Sequence, residues 1–267
     1  MEKQRTMGKV LLSFDIEEFE VPEEYHGTMR KEDVFATSAQ GASVILDIMK
    51  ENGVKATFFC TGRFAEEESE LVRRMVDEGH EVASHGYRHN RRQRNDDILK
   101  SKQVLEGITG KAVNGYREPK MFDVDNAFLA RQGMAYNSSL NPAFIPGRYM
   151  HLDTPRTWFW QDGVAQIPAS VTPWLRLPMF WLGLHNYPLA LYLALCKRCI
   201  KHDGYFVTYL HPWEFTALDS HPEYRLPWII RHNCGERLRR RLDSVIKELK
   251  KEGHEFVCFS NFANSIK

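Results

Sequence analysis

Short apolar runs alternate with amphipathic stretches along most of the chain. The run from Val10 to Phe14 predicts a buried strand, and the helical spacing of apolar residues from Gly41 to Asn52 predicts a helix that ends at Gly53. Further strands are predicted at Ala56–Cys60, His80–Ser84, Lys111–Tyr116, Met134–Asn137, Ala165–Pro168, Tyr205–Leu210 and Glu255–Phe259. Further helices are predicted at Glu66–Glu78, Asp96–Ile108, Asp123–Gln132, Pro188–His202 and Arg231–Lys251.

This alternation of strands and helices is typical of an α/β protein whose parallel strands are joined by helical crossovers. Seven or eight such units favour a (β/α) barrel over an open doubly wound sheet, and 267 residues meet the roughly 250 that such a barrel needs. No linker rich in Pro, Gly and Ser and no internal repeat interrupts the pattern. We therefore expect one domain over residues 1–267.

Composition and charge exclude several classes of protein. Apolar residues make up 43% and charged residues 27% of the chain, so a folded globular protein is expected. A net charge of +1 gives no reason to expect nucleic acid as a partner. The polar stretch from Met1 to Lys9 lacks the features of a secretory signal, and five scattered cysteines suit a reducing compartment. These observations predict a cytoplasmic protein, in which Cys196 and Cys199 are packed thiols and not a metal site.

An aromatic-rich region from Val171 to Ile200 raises the question of membrane contact. Proline, arginine, histidine and asparagine interrupt it, so no apolar run reaches the roughly 18 residues of a membrane span. The region either covers the core or rests against a membrane surface, which leaves peripheral membrane contact open. We favour a cover over the core.

The ends of four predicted strands carry polar side chains that can bind a metal or transfer protons. In a parallel barrel the carboxyl ends of the strands form one face, where such side chains converge on a common site. These side chains belong to Asp15, Glu17, His85, His89, Arg117 and His211.

The two histidines predict a metal site. Imidazoles four residues apart can bind one ion from the same side, and a carboxylate from another strand end would complete the set. Two histidines and one carboxylate leave positions open for water and substrate, as a catalytic metal requires. Zinc suits these ligands best, although cobalt, nickel, manganese and iron also bind such sets.

Asp15 and Glu17 are two residues apart in an extended segment, so both side chains face the same pocket while Ile16 faces away. One carboxylate can then bind the ion while the other stays free as a general base. The nearby Glu20, Glu23 and Glu24 are interpreted as a solvated acidic loop.

Four motifs in this order resemble those of the polysaccharide deacetylases, carbohydrate esterase family four. They are Ser13-Phe14-Asp15, His85-x-x-x-His89, Tyr116-Arg117-x-Pro119 and Tyr209-Leu210-His211-Pro212. The resemblance implies a distorted (β/α) barrel, commonly with about seven strands. It also implies metal-dependent removal of acetyl groups from N-acetylated sugars.

The resemblance implies a role for each motif residue. Asp15 would be the general base, His211 the general acid and Arg117 the residue that orients Asp15, while His85 and His89 would be metal ligands. The common first motif has a second aspartate as the third ligand, but Ile16 stands there. A branch of the family has D-x-D or D-x-E instead, which makes Glu17 the third ligand, with Glu18 as the alternative.

Residues beside these motifs are candidates for substrate binding. Trp213 follows His211 closely enough to stack on a sugar ring, and Tyr87, Tyr116 and Pro119 lie within or next to motifs. Four other histidines have no motif support and are interpreted as ordinary polar residues: His151, His185, His221 and His232.

The leading hypothesis is a metal-dependent N-deacetylase that acts on an amino-sugar glycan or on a lipid-linked precursor of one. The first alternative is hydrolysis of another non-peptide C–N bond, in a formyl-sugar or a ureide-like molecule. The second alternative is a sugar-binding barrel that has lost catalysis.

Overall fold

The computed structural model describes residues 7–145, 149–150 and 152–267. Residues 1–6 of the polar N-terminal stretch, and His151, lie outside the described residues. The strands are β1 Lys9–Ile16, β2 Thr57–Cys60, β3 Glu81–Ser84, β4 Gly115–Tyr116, β5 Tyr136–Asn137, β6 Phe144–Ile145, β7 Tyr149–Met150, β8 Phe159–Gln161, β9 Val164–Gln166, β10 Tyr205–Leu210 and β11 Glu255–Phe256. The helices are α1 Val21–Glu24, α2 Asp33–Asn52, α3 Gly62–Glu67, α4 Ser69–Asp77, α5 Asn95–Thr109, α6 Asn126–Arg131, α7 Trp181–Asn186, α8 Leu189–Asp203, α9 Trp228–Arg231, α10 Glu236–Lys251 and α11 Phe259–Ser265.

The main sheet has the order β10-β1-β2-β3-β4-β5-β9-β8. The seven strands from β10 to β9 pair in parallel, whereas β8 pairs with β9 in antiparallel fashion and β11 adds to β1. The predicted parallel α/β architecture with about seven strands is therefore confirmed. A separate hairpin is formed by β6 and β7.

The barrel closes differently from a regular (β/α) barrel. Among the described residues, β9 and β10 do not pair as strands. The segment after β9 joins β10 instead, because the Ser170 amide donates to the Val207 carbonyl at 3.1 Å and the Val207 amide donates to Ser170 Oγ at 2.9 Å. The sheet is a curled half-barrel with a seam at this position.

Alternation along β1 separates the two faces of the sheet. Val10, Leu12 and Phe14 pack against the surrounding helices in the larger apolar cluster. Leu11 faces the other side, in a smaller cluster with residues of β2, β3, β5, β9, β10 and α11. Asp15 follows Leu11 on that face by two strand repeats, so its carboxylate lies inside the curl at the carboxyl end.

Most predicted elements are present, but several bounds differ. The helix predicted at Glu66–Glu78 is two helices, α3 and α4, and the strand predicted at Lys111–Tyr116 keeps only the two residues of β4. The sequence patterns missed α1, α7 and α11. Cys196 and Cys199 are buried on α8 with free thiols, as predicted.

Candidate metal and catalytic site

Six of the predicted site residues meet in one cavity of about 260 Å³ at the carboxyl end of the sheet. Its charged and titratable side chains belong to Asp15, Glu17, His85, His89 and His211, and at its edges to Glu24, Glu118 and Lys120. Its apolar wall is formed by Val21, Tyr25, Met121, Trp181, Trp213 and Ile230. Of the aromatic residues predicted beside the motifs, Trp213 lines this cavity.

Three ligand-type side chains converge in this cavity. Glu17 Oε2 lies 3.3 Å from His85 Nε2 and 3.0 Å from His89 Nε2. All three can place one donor atom within 4.8 Å of one another. Glu17 Oε2 and His85 Nε2 are both buried and make no hydrogen bond that satisfies them. Because buried polar atoms are normally paired, this donor set fits a divalent cation.

Ring orientation at His85 also suits a metal ligand. Its Nδ1 lies 2.8 Å from the Arg117 carbonyl, which can only accept a hydrogen bond. Nδ1 therefore carries a proton and donates it, while Nε2 is directed at Glu17. A backbone carbonyl that fixes the ring in this way is typical of histidines that bind metals.

The electrostatic environment keeps Glu17 charged and His89 neutral. Burial works to raise the pKa of Glu17, but His89 and His211, which are both charged at the low pH where Glu17 titrates, outweigh burial and lower that pKa to about 2. Burial lowers the pKa of His89 to about 4, although Glu17 opposes this change. A carboxylate and an uncharged imidazole are the forms that bind a metal ion.

The loop between His85 and His89 is positioned by Gln93, which the sequence patterns did not identify. Gln93 Oε1 accepts from the Tyr87 amide at 2.7 Å, and its Nε2 donates to the Arg88 carbonyl at 2.7 Å. The turn needs Gly86, whose φ is +72° and whose hydrogen faces the Gln93 side chain. This carboxamide thus holds the turn that brings both imidazoles together.

Asp15 is held by a buried arginine. Arg117 Nη1 donates to Asp15 Oδ1 at 2.5 Å, and Nη2 donates to Ser138 Oγ at 3.0 Å. The guanidinium lies over the Phe59 ring at 3.9 Å from its centroid, inside the sheet. Such a fixed, permanently charged partner orients the Asp15 carboxylate.

His211 lies on the opposite wall, at the end of β10. Burial alone would lower its pKa, but the charges of Glu17 and Glu214 outweigh burial and raise it to about 9. His211 Nδ1 lies 2.6 Å from Glu214 Oε1. The ring is therefore protonated at neutral pH. Close packing supports this wall, since a Cβ on Gly41 of α2 would overlap the Pro212 carbonyl.

Trp213 does more than line the cavity. Its Nε1 donates to Glu17 Oε1 at 3.5 Å, and its ring stacks on His211 with 5.1 Å between centroids. Glu17 is thus held by an indole on one oxygen and faces the two histidines with the other.

Three predicted substrate contacts are not placed in the cavity. The Tyr116 ring is fully buried and its hydroxyl binds Glu118. Tyr87 donates to Glu66 at 2.8 Å, and Pro119 is buried in a short 3₁₀ turn. Packing and hydrogen bonds to carboxylates orient these residues away from the cavity lining, so direct contact with substrate is not supported.

Glu214 and His185 were missed by sequence reasoning. His185, interpreted as an ordinary polar residue, is fully buried on α7, with Nε2 at 2.8 Å from Glu214 Oε2. Glu214 follows His211 by three residues, and this short spacing was the available signal for it. For His185 the sequence offers no such signal, because α7 meets β10 only in the folded chain.

Comparison with known proteins identifies the family of this chain. The polysaccharide deacetylase family model matches residues 2–136, about half of the chain. A peptidoglycan deacetylase of Helicobacter pylori is 35% identical over 108 residues, which are 38% of this chain and 37% of that protein. The match thus spans well under two thirds of the relative's length.

Solved structures show the same fold. A protein of Mycobacterium smegmatis described as a polysaccharide deacetylase superposes with a TM-score of 0.66 at 20% identity, over 99% of this chain and 91% of that one. A pseudoenzyme of carbohydrate esterase family four from Bacillus anthracis gives a TM-score of 0.57 at 16% identity, over 97% and 66% of the two chains. By the family match, this chain belongs to the polysaccharide deacetylase family.

Proposed function

We propose that this protein is a metal-dependent N-deacetylase that acts on an amino-sugar glycan. The observation that carries the proposal is the pair of buried, unsatisfied donor atoms, Glu17 Oε2 and His85 Nε2, which face each other beside His89. Asp15 lines the same cavity but is bound to Arg117, outside this ligand set. A carboxylate that lies beside the metal ligands without being one of them can serve as the general base of a hydrolysis.

Glu17, His85 and His89 would hold the ion, and zinc is the first choice for this set. Cobalt, nickel, manganese and iron also suit two imidazoles and one carboxylate. When bound, the ion supplies positive charge that polarises an acyl carbonyl and lowers the pKa of water. Glu18 is a poorer ligand, because its Oε2 accepts from Thr61 Oγ1 at 2.9 Å.

The chain's own residues provide the proton transfers. Asp15 accepts a proton from the attacking water while Arg117 holds the carboxylate in place. The water oxygen bonds to the acyl carbon, and the C–N bond breaks as His211 donates its proton to the leaving nitrogen. The products are acetate and a free amine. The raised pKa of His211, about 9, keeps it in the acid form at neutral pH.

Metal content and activity together test this mechanism. We expect about one equivalent of divalent metal in the purified protein. Asp15→Asn should retain the metal but lose acetate release on chitooligosaccharides or peptidoglycan fragments. Asp219→Asn, at an exposed ion pair with Arg231, is the matched control and should keep both properties. Protein without metal, with Asp15→Asn fully active, would contradict the mechanism.

The substrate is proposed from the cavity and the relatives. The Helicobacter pylori protein is named as a peptidoglycan deacetylase, which favours an N-acetylated sugar. Measuring acetate, formate and ammonia in parallel on a substrate panel separates the alternatives. Formate or ammonia would identify another C–N bond as the target. Glycan binding without turnover at any added metal would identify a barrel that has lost catalysis.

We further propose that the substrate reaches this site at a membrane surface, as a lipid-linked precursor would. Of the helices that the structure describes, none is long and apolar enough to cross a bilayer. Trp174 and Leu175 are, however, 76% and 70% exposed beside Arg198 of α8. Residues 163–202 contain no Asp or Glu, and Arg198 forms no ion pair with any described residue. An exposed apolar tip beside the Arg198 guanidinium suits an anionic bilayer.

Liposome co-sedimentation tests this surface. The protein should bind vesicles that contain anionic lipid and bind neutral vesicles less. Replacing Trp174 and Leu175 with Ser should reduce binding, whereas Trp160→Ser, at another exposed tryptophan, should not. Equal sedimentation of the wild type and the double variant would remove the membrane proposal. The cytoplasmic location stays a prediction.

A further inference from the structure

A buried carboxylate lies between two histidines behind the cavity. Glu214 is fully buried, and its Oε1 accepts from the His211 amide at 2.9 Å and lies 2.6 Å from His211 Nδ1. Its Oε2 lies 2.8 Å from Nε2 of His185, which is also fully buried. One negative charge is therefore shared by two imidazole rings, only one of which reaches the cavity.

Hydrogen-bond donors and acceptors determine the charge of His185. Its Nδ1 lies 3.2 Å from the His232 carbonyl, which can only accept, so Nδ1 must carry a proton. A neutral ring has one N–H, so its Nε2 would then direct a lone pair at Glu214. Glu214 Oε1 accepts from the His211 amide and faces the His211 ring, so the group is present as a carboxylate whose Oε2 is an acceptor. Both nitrogens of His185 therefore face acceptors, which is the hydrogen-bonding pattern of a doubly protonated ring.

Among the groups around His185, the carboxylate of Asp219 acts on His232 and Cys234, whereas Glu214 is the carboxylate that contacts the His185 ring. On its own helix the Trp181 ring meets it edge-on at 5.9 Å. From the segment after α9, His232 contributes its carbonyl and Cys234 lies close enough to interact with Glu214. Arg241 of α10 is a cation that donates to the Leu184 carbonyl at 2.8 Å. The His232 ring is a titratable neighbour. Within the described residues, Glu214 is the anion that balances His185.

We propose that His185 is a positioning residue which, as a buried cation, takes up part of the Glu214 charge and thereby makes His211 a stronger acid. Without that cation, the whole charge of Glu214 would act on the His211 proton and hold it more tightly. A proton held too tightly is given up slowly to a leaving nitrogen. The role as an acid rests on the proposed function, but the charge sharing does not.

Histidine NMR tests the charge directly. In protein labelled with ¹⁵N-histidine, His185 should show two protonated ring nitrogens at pH 7. His185→Gln preserves a donor towards Glu214 without the charge, and it also assigns the His185 signals. In this variant the pKa of His211, followed by the same signals, should rise by about one unit. A neutral His185 ring at pH 7 in the wild type would overturn the proposal, even if the variant does not fold.

Kinetics test the consequence for the acid. With acetate release as the assay, His185→Gln should lower kcat several-fold at pH 7, leave KM unchanged and move the alkaline limb of the pH profile upward. His221→Gln, whose ring pairs with Glu223 at the surface at 2.8 Å, is the matched control and should change neither quantity. An alkaline limb that stays in place in His185→Gln would overturn the proposal. If the wild type releases no acetate, the proposed function fails, and the NMR titration of His211 still decides the charge sharing.

Discussion

Glu17 and Glu18 are neighbours in sequence but have different surroundings. Glu17 faces both imidazoles, whereas Glu18 accepts from Thr61 and lies 3.6 Å from Arg63 Nη1. Successive side chains of an extended chain point to opposite sides, which explains the separation. The sequence left the choice between these two ligands open, and the geometry favours Glu17.

A pair of isosteric variants tests that choice. Glu17→Gln should weaken metal binding by more than the roughly 10- to 100-fold typical of changes around a ligand. Glu18→Gln should bind metal normally, because burial already raises the pKa of Glu18 and a neutral side chain is tolerated there. Metal content after dialysis against a weak chelator provides the measurement. Loss of metal in Glu18→Gln alone would reverse the assignment.

His80 gives the fold a dependence on pH that is separate from the site. Its Nδ1 accepts from the Ala56 amide at 3.2 Å, and burial lowers its pKa from 6.5 to about 4. Between these two values the unfolded chain binds a proton that the folded chain does not. The free energy of unfolding should therefore fall as the pH drops from 6.5 to 4, by at most about 3 kcal/mol.

His80→Asn keeps an acceptor for the Ala56 amide but cannot titrate in this range. Urea unfolding of both proteins at several pH values between 7 and 4 should show a shallower loss of stability in the variant. Parallel curves for the wild type and the variant would show that His80 does not contribute.

Much of the site could be predicted from residues at strand ends. Asp15 lies near the end of β1, and His85, Arg117 and His211 directly follow β3, β4 and β10. Strand ends converge in a parallel sheet. Side chains that act through hydrogen bonds between distant segments could not be predicted, and Glu214 and His185 belong to this group. The rings of Tyr87 and Tyr116 were predicted to line the cavity but do not. Sequence spacing alone does not specify which way a side chain turns.

At the scale of elements, the sequence predicted a helix or strand correctly where the pattern of apolar residues continued over the whole element. The strand predicted at Tyr205–Leu210 is β10 with the same bounds, because its six residues, five of them apolar or aromatic, are all buried. The short helices α1 and α7 were missed, since four and six residues are too few to show a helical period. The strand predicted over Glu255–Phe259 keeps only the two residues of β11. Phe259 begins α11 instead, and with Phe262 it packs in the smaller apolar cluster.

The turn between the two histidine ligands provides a prediction at this scale. Gly86 has φ +72°, and a Cβ there would lie 2.5 Å from Gln93 Cγ. Gly86→Ala should therefore displace Gln93 and weaken metal binding, besides the backbone cost of about 1–2 kcal/mol. Gly110→Ala, at φ +66° with nothing within 4 Å of a Cβ, should carry the backbone cost alone. Isothermal titration with zinc compares the two; equal metal affinities would contradict the role of Gln93.

At the scale of the whole molecule, the proposed metal joins distant parts of the chain. Glu17 follows β1, while His85 and His89 follow β3. A ligand that binds only the folded chain stabilises it by about 2.7 kcal/mol at a concentration 100 times its Kd. For a chain of this size that free energy corresponds to a rise in Tm of about 5–10 °C.

Chelation should reverse this effect. Thermal melts with excess EDTA should show the lower Tm, and added zinc should restore the higher one. Glu17→Gln should melt at the same temperature with and without zinc. A zinc-dependent shift of equal size in that variant would place the ion elsewhere.

Sequence patterns predicted the parallel sheet but not the way in which it closes. The seam depends on Ser170 and Val207, whose bonds join an irregular segment to a strand. Such pairings have no periodic signature in the sequence. The number of strand–helix units predicted a barrel, but the structure shows a curled sheet completed by a loop.

The position of β10 next to β1 has a consequence for biosynthesis. During translation the base and all three proposed ligands leave the ribosome early, whereas Trp213 lies 196 residues after the Glu17 it contacts. Until β10 arrives, one hydrogen-bonding edge of β1 has no partner strand, and such an edge can recruit other chains. The nascent protein therefore passes through a long interval in which it is prone to aggregation and has no acid for catalysis. Chaperone demand during synthesis should fall when residues 205–210 emerge, and it should end only after β11 and α11 have followed.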